Sequence, residues 1–415
     1  MRSAAKQPVM SLAAAPRGRR LALVILAGAV LLSMTTWFSA SAVIPQLRLE
    51  WGLTTSSASW LTIAVQVGFV AGALASAILN LADRVNPRQV FFWSSLGAAA
   101  VNASLVTAGS IWPAIALRLA TGFFLAGVYP PAIKLMSTWY RRGRGLALGV
   151  MIGALTLGSA APQLINGFGG LGWHAVVLWT SALTLAGGVL VSGVLRDGPF
   201  PFPPASFDPA YFLRGFRNRG VRLANFGYFG HMWELYSVWT WFGLFFAASL
   251  SHASYQGDLR LMAGIATFLV IGAGALGATV AGALADRFGR SLVAAGSLVV
   301  SGTCSLTIGL LFDRPVLVFL AGLIWGFAVV ADSAQFSTIV TEVCEQEYVG
   351  TASTVQLALG FLLTTVTIRL IPTLESAIGW RMAFSVLALG PALGVIAMLR
   401  LRRAPEAALI AGGKG

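Results

Sequence analysis

His231 and Glu234 stand three residues apart in GYFGHMWELYSVWTWFG, residues 227–243, where nearly every neighbour is apolar or aromatic. That spacing puts two side chains on one face of a helix, a face that Tyr228 and, further on, Trp241 share. Asp332 and Gln335 repeat the spacing in a second apolar run, and Arg118 sits in a third, within RLATG. A carboxylate in such surroundings feels two opposed influences: poor solvation favours the neutral acid, and a neighbouring imidazolium or guanidinium favours the ion. That balance suits reversible protonation, with Glu234 first in line, His231 as its partner or as the titrating group, and Asp332 second. The plainer alternative is that His231 and Glu234 satisfy each other and fix the helix in place.

The elements that must hold these groups follow from composition. Of 415 residues 57% are hydrophobic and 10% charged, and the mean hydropathy is +0.80. A soluble domain of this length needs more charge on its surface. A helix crossing the hydrocarbon layer takes roughly 20 mainly apolar residues. Twelve such runs occur, at about 21–45, 58–80, 88–109, 111–137, 145–166, 173–195, 221–248, 261–284, 291–312, 315–340, 350–372 and 380–400. Alternating segments of about 10 residues, the mark of a membrane barrel, are missing. The expectation is an all-α membrane protein of twelve transmembrane helices.

A net charge of +14 raises the question of nucleic acid, and the placement of the basic residues answers it. With the N-terminus inside, 21 of the 28 Lys and Arg fall on the cytoplasmic face, among them Arg17, Arg19, Arg20, Arg141, Arg142, Arg144, Arg214, Arg217, Arg219 and Arg222. Arg48, Arg260, Arg314, Arg369 and Arg381 fall on the other face, and Arg118 and Lys134 lie within a span. The asymmetry predicts both termini cytoplasmic and accounts for the basic balance without nucleic acid. Arg17–Arg20 before an apolar run ending at Ala40-Ser41-Ala42 has the look of a signal peptide, but the run is too long and returns as an internal span. We read it as a retained first helix. Cys304 and Cys344 are too few for a disulfide framework.

Internal echoes predict two halves. TWF at 36–38 returns at 240–242, ADR at 82–84 at 285–287, and GW at 172–173 at 379–380, with offsets of 204, 203 and 207. The halves are therefore residues 1–195 and 221–415, two pseudo-symmetric six-helix bundles. Between them, 196–220 carries five prolines and no span-length apolar run, so it reads as a cytoplasmic linker. Its AYFLRGFRNR stretch suits either a short interfacial segment or plain loop.

The loop after the eighth span, GALADRFGR (Gly282–Arg290), resembles the signature of the major facilitator superfamily. The copy after the second span, LNLADRVNPR (Leu79–Arg88), keeps Asp83, Arg84 and Arg88 and has Leu79 and Asn86 where the family has glycine. The likeness covers all twelve spans. It implies a gating latch at the cytoplasmic seam, built from Asp83, Arg84, Arg88, Asp286, Arg287 and Arg290, in which a carboxylate caps a neighbouring helix and pairs with arginine. A solvated turn is the alternative. RLATG, Arg118–Gly122, resembles the family's fourth-helix element, whose arginine serves proton coupling or substrate binding; an arginine snorkelling to the interface is the competing reading. Gly149, Gly153, Gly158 and Pro162 partly match the fifth-helix pattern of the antiporters, or simply pack helices.

In that family the first, fourth, seventh and tenth helices line a central cavity. On those helices lie nearly all the deep ionisable groups of this chain, where a wet cavity would tolerate them and lipid would not. The resemblance thus implies proton coupling through Glu234, His231 and Asp332. Substrate binding falls to Arg118, Trp37, Tyr228, Trp241, Gln335 and Lys134, the last reaching either the cavity or headgroups. There is no phosphate-binding loop, metal-ligand cluster or nucleophile constellation, so neither an enzyme nor a cofactor or metal is expected.

The expected function is secondary active transport of a small, anionic metabolite, coupled to protons, in a bacterial inner membrane, with substrate, protons and the bilayer as partners and neither nucleic acid nor an obligate protein partner. Proton-driven efflux of a lipophilic or cationic compound is the alternative, and a ligand sensor that moves nothing is a third. AGVYPPAIKLMSTWYRRGRGLALGV, residues 126–150, is similar to the bacterial nitrate, cyanate and organic-anion carriers. The nitrate-type fifth-helix signature is missing, and 261–284 lacks the basic residue an oxalate-type site uses.

Overall fold

The computed structural model describes residues 18–140, 144–168, 172–200, 216–345 and 348–415, with all their side chains except those of Ala82, Asp83 and Arg144. Arg17, Arg141, Arg142, Arg214, the 201–215 part of the linker and the Asp83 side chain, each named above, lie outside this set.

The described residues form helices joined by turns and short loops, with no strand among them. The long elements are α1 (Arg19–Met34), α2 (Trp60–Ile78), α3 (Pro87–Ala103), α4 (Ile111–Leu125), α5 (Tyr129–Trp139), α6 (Arg144–Gly167) and α7 (Trp173–Val194), then α8 (Arg219–His252), α9 (Leu259–Phe288), α10 (Arg290–Thr307), α11 (Pro315–Ala331), α12 (Ser333–Val343), α13 (Val349–Ile378) and α14 (Leu389–Arg402). Among the described residues, ten helical stretches are long and apolar enough to cross a bilayer. They correspond to ten of the twelve predicted runs; the first and seventh runs are helical but fall outside that set, for two different physical reasons. In the first, α1 stops after 16 residues and the chain turns through 35–38 before resuming at Ser39–Ala42 and Ile44–Trp51. The seventh, α8, is one helix of 34 residues whose arginines, His231, Glu234, tryptophans and tyrosines lower its hydropathy.

Three of the four runs that the sequence assigns to a cavity are interrupted. Besides the turn at 35–38, α4 gives way to α5 through Ala126–Val128, and α11 to α12 at Asp332 alone. Pro130 and Pro131 at the start of α5 cannot donate the backbone bonds that would continue α4. No proline accounts for the break at Asp332.

The two halves reuse one packing device. A Cβ on Gly68 of α2 would run into the Leu119 carbonyl of α4, and one on Gly122 into the Val65 carbonyl. In the second half Gly277 of α9 meets Phe327 O and Gly326 of α11 meets Val270 O in the same way. Absent side chains let these backbones touch, which is how helices associate where water provides no driving force.

Across the halves, α6 runs antiparallel to α9. Cβ atoms on Gly149 and Gly153 would each lie 3.3 Å from α9, against Ala278 O and Ala275 Cβ, and one on Gly167 would lie 3.2 Å from Gly264 Cα. Gly158 faces Leu31 of α1 instead. The fifth-run glycines therefore serve close packing, two of them across the seam. A second seam joins α2 to α13, where the Phe69 and Phe361 rings meet at 4.7 Å, tilted by 51°.

Candidate functional site

α8 is the element on which the deep polar groups depend, and its two faces differ. Tyr236 lies 6.0 Å from Trp37 and 6.1 Å from Phe38, and Trp239 lies 5.9 Å from Phe38, so one face meets the first half with rings. His231 and Glu234 turn the other way, into their own half.

His231 Nδ1 stands 2.8 Å from Asp332 Oδ1, with both side chains almost fully buried, at 2% and 1% exposure. The approach is close but off the hydrogen-bond axis, and neither Asp332 oxygen has an aligned donor. On the far side of the ring, Nε2 is 3.1 Å from Ser333 Oγ. Glu234 Oε1 accepts a 2.6 Å bond from Trp325 Nε1 of α11, while Oε2 has no partner.

The expected pairing of His231 with Glu234 is not made. Three residues place two side chains about 60° apart around a helix. His231 uses that difference to reach the break at Asp332, and Glu234 to reach Trp325. Sequence reasoning also expected all three groups to border a cavity between the halves; they are instead enclosed within the second half, and none is turned to the lipid-facing surface. Ser333 and Trp325 were missed. Trp325 precedes Asp332 by seven residues, a two-turn spacing that puts both on one helix face, and that was the available signal.

Arg118 is completely buried. Its Nη1 donates to Thr36 O at 2.9 Å, Asn102 Oδ1 at 2.8 Å and Ser39 Oγ at 3.1 Å, its Nη2 to Trp37 O, and its Nε to Leu61 O at 3.4 Å. The carbonyls of Thr36 and Trp37 belong to the 35–38 turn, where Thr36 O also accepts from Ser39 N at 3.4 Å and from Ser39 Oγ at 3.0 Å. The guanidinium thus occupies the gap in the first run, and Asn102, which sequence reasoning passed over, is held in turn by Val177 O and Ser181 Oγ. Arg118 does not snorkel to an interface, and each nitrogen of its guanidinium bonds to protein. Burying a cation costs heavily unless it is met by such groups.

The remaining sequence-nominated residues divide. Trp37 joins a buried ring cluster with Phe69 at 5.0 Å, Phe361 at 5.5 Å and Tyr236; its Nε1 has no partner. Trp241 is buried away from that cluster and donates to Ile368 O at 3.0 Å. Tyr228 packs against His231 at 5.9 Å and Phe336 at 6.2 Å. Gln335 is buried and accepts from Arg290 Nη1 at 3.4 Å. Lys134 is half-buried on α5.

The nominated latch residues also separate. Arg88 pairs with Asp197 at 3.1 Å and donates to Leu195 O, contacts within the first half. Arg84 and Arg287 are exposed. Arg290 grips Glu342 of α12 through Nε and Nη2, at 2.9 to 3.1 Å, and lies 3.8 Å from Asp286. Asp286 reaches α6: a Cβ on Gly145, at the N-terminal end of that helix, would be 3.1 Å from its Oδ2. At the opposite end of the same seam, Asn166 Oδ1 of α6 accepts from Arg260 of the second half at 2.6 Å and from Gln46 at 2.7 Å. Asn166 Nδ2 donates to Ala42 O at 2.7 Å, and Arg369 of α13 donates to Ser56.

A close-packing device used twice, broken helices and a polar cluster at one break describe an architecture that a family model also recognises. The model for the Major Facilitator Superfamily matches residues 26–259. The chain belongs to the Major Facilitator Superfamily. As a facilitator it is a multi-pass membrane transporter and not an enzyme. Its fold is similar to that in the crystal structure of a bacterial homolog to the human lysosomal transporter Spinster, in an inward-facing and unoccupied conformation. The two superpose with a TM-score of 0.71 over 94% of this chain and 100% of that one, at 15% sequence identity. That likeness is one of fold. No curated protein matches this facilitator.

Proposed function

We propose that this facilitator is a secondary active transporter of twelve helices, with both termini cytoplasmic in a bacterial inner membrane, that moves a small organic molecule at the expense of a proton gradient. The carrying observation is the His231–Asp332 pair, 2.8 Å apart, buried, and placed where α11 breaks into α12. An acid and an imidazole at that distance can share or release one proton, and a break in the helix beside them is where a change of charge can alter geometry. Asp332 and His231 therefore lead the proposed coupling, with Glu234 third, since Trp325 holds it inside the second half.

The seam contacts support alternating access. Asp286 beside Gly145 would latch the inner end, Arg290 and Glu342 bracing it, and Asn166 with Arg260 would clasp the outer end. Arg84, Arg88 and Arg287 would serve the inner surface more loosely.

The choice of cargo turns on Arg118. The anion reading drew on that guanidinium, each nitrogen of which already bonds to protein groups. The ring cluster around Trp37 favours the alternative, a lipophilic compound. Purified protein in proteoliposomes, given labelled lipophilic compounds and small anions with and without an imposed pH gradient, tests the proposal. Gradient-driven accumulation supports it; saturable binding with no flux of any compound would make the protein a sensor.

A further inference from the structure

Three buried polar groups between the halves lack the partners that burial demands. Trp37 Nε1, Trp239 Nε1 and both amide atoms of Gln66 make no hydrogen bond, although Trp37 is 3% exposed, Trp239 1% and Gln66 not at all. They converge on one place. On α2, Gln66 lies between Thr62, bonded to Ser41 at 2.6 Å, and Phe69, whose ring is 5.0 Å from Trp37. It therefore faces the 36–42 segment. Trp239 meets that segment from α8 through Phe38. Leaving one buried polar group unmet costs about 1–3 kcal/mol, so a fold that keeps several together is arranged for something that completes them.

We propose that these groups form the polar half of the cargo site, and that the cargo is an uncharged, planar aromatic compound bearing a carboxamide-type edge, such as an amide, lactam or imide. This rests on reading the chain as a transporter. The rings of Trp37, Phe69, Tyr236 and Phe361 supply flat apolar walls. Indole N–H groups can only donate, so they require an acceptor on the ligand, while the Gln66 amide offers one acceptor and two donors and pairs with an edge carrying both. Charge is disfavoured because none of the converging groups is ionisable, the Thr36 and Trp37 carbonyls beside them already bond Arg118, and His231, Asp332 and Glu234 are turned into the second half. An ion stripped of water there would find no counter-charge.

Isothermal titration calorimetry on the full chain, with 2-naphthamide, 2-naphthoate and 2-naphthamidine as probes of nearly one shape and three charges, tests this. The amide should bind at least about tenfold more tightly than either ion, and Trp37→Phe and Gln66→Leu should each weaken it about fivefold or more. Gln66→Leu should melt no lower than the parent, since it removes an unmet amide, and Trp37→Phe provides the same readout independently. Equal or tighter binding of either ion, unchanged affinity in both variants, or no saturable binding of any probe would overturn the inference, the last meaning that water alone completes the groups. Gradient-driven flux of naphthoate would overturn it while leaving the transporter reading intact; amide binding without any flux would do the reverse.

Discussion

Asp332 and His231 meet at 2.8 Å across two elements, one continuous and one broken. Each is the group that makes the other tolerable in a buried setting, so removing one alone should cost more than removing both. In a double-mutant cycle of His231→Asn and Asp332→Asn, thermal unfolding in detergent should give a coupling of about 1–3 kcal/mol. Additive effects would mean that the two are neighbours without interaction.

Arg118 holds open a gap in the first helical run. Arg118→Ala should lose about 3 kcal/mol or more, because the Trp37 carbonyl loses its donor inside the fold, Thr36 O and Asn102 Oδ1 are left to share Ser39, and a side-chain-sized void opens. Arg118→Lys, with a single ammonium for acceptors spread over the 36–39 segment, Asn102 and Leu61, should fall between. Differential scanning fluorimetry reads both. The ratio of affinities for charged and uncharged ligands should not change in Arg118→Lys; a selective loss of anion binding would restore the arginine to the substrate.

Asn166 is the hinge pin of one seam end, taking bonds from Arg260 and Gln46 and giving one to Ala42. Asn166→Ala should favour the state open at that end by about tenfold. Pulsed electron resonance between spin labels at Thr54 and Gln256, exposed residues on the two halves, should show the longer distance gaining population.

At the other end, Gly145 leaves only enough room for the Asp286 carboxylate. Gly145→Leu should prevent that approach, so that single-cysteine sites near 286–290 become more accessible to a water-soluble alkylating reagent, while unfolding temperature changes little. Unaltered labelling would show that this contact does not govern closure.

The helical class and the position of most spans were legible in the sequence, because apolar length reports on lipid directly. The breaks were less so. Pro130 and Pro131 announce the end of α4, but the turn at 35–38 depends on an arginine some eighty residues later, and no local pattern encodes a long-range acceptor set. The same limit applies to the site. Helical spacing correctly kept His231 and Glu234 near one another and said nothing about which neighbouring helix each would address. Asp332 and Trp325 settled that, through contacts about a hundred residues apart in the chain. Resemblance to a motif likewise located Arg118 and could not reveal that each of its nitrogens bonds to protein.

The central claim is that a proton held between Asp332 and His231 drives the transport cycle. Asp332→Asn in proteoliposomes tests it most directly, because the amide keeps the shape and removes the titration. Cargo exchange at equal pH should persist at a rate close to the parent, while accumulation driven by an imposed pH gradient should vanish. Undiminished gradient-driven accumulation in that variant would contradict the account.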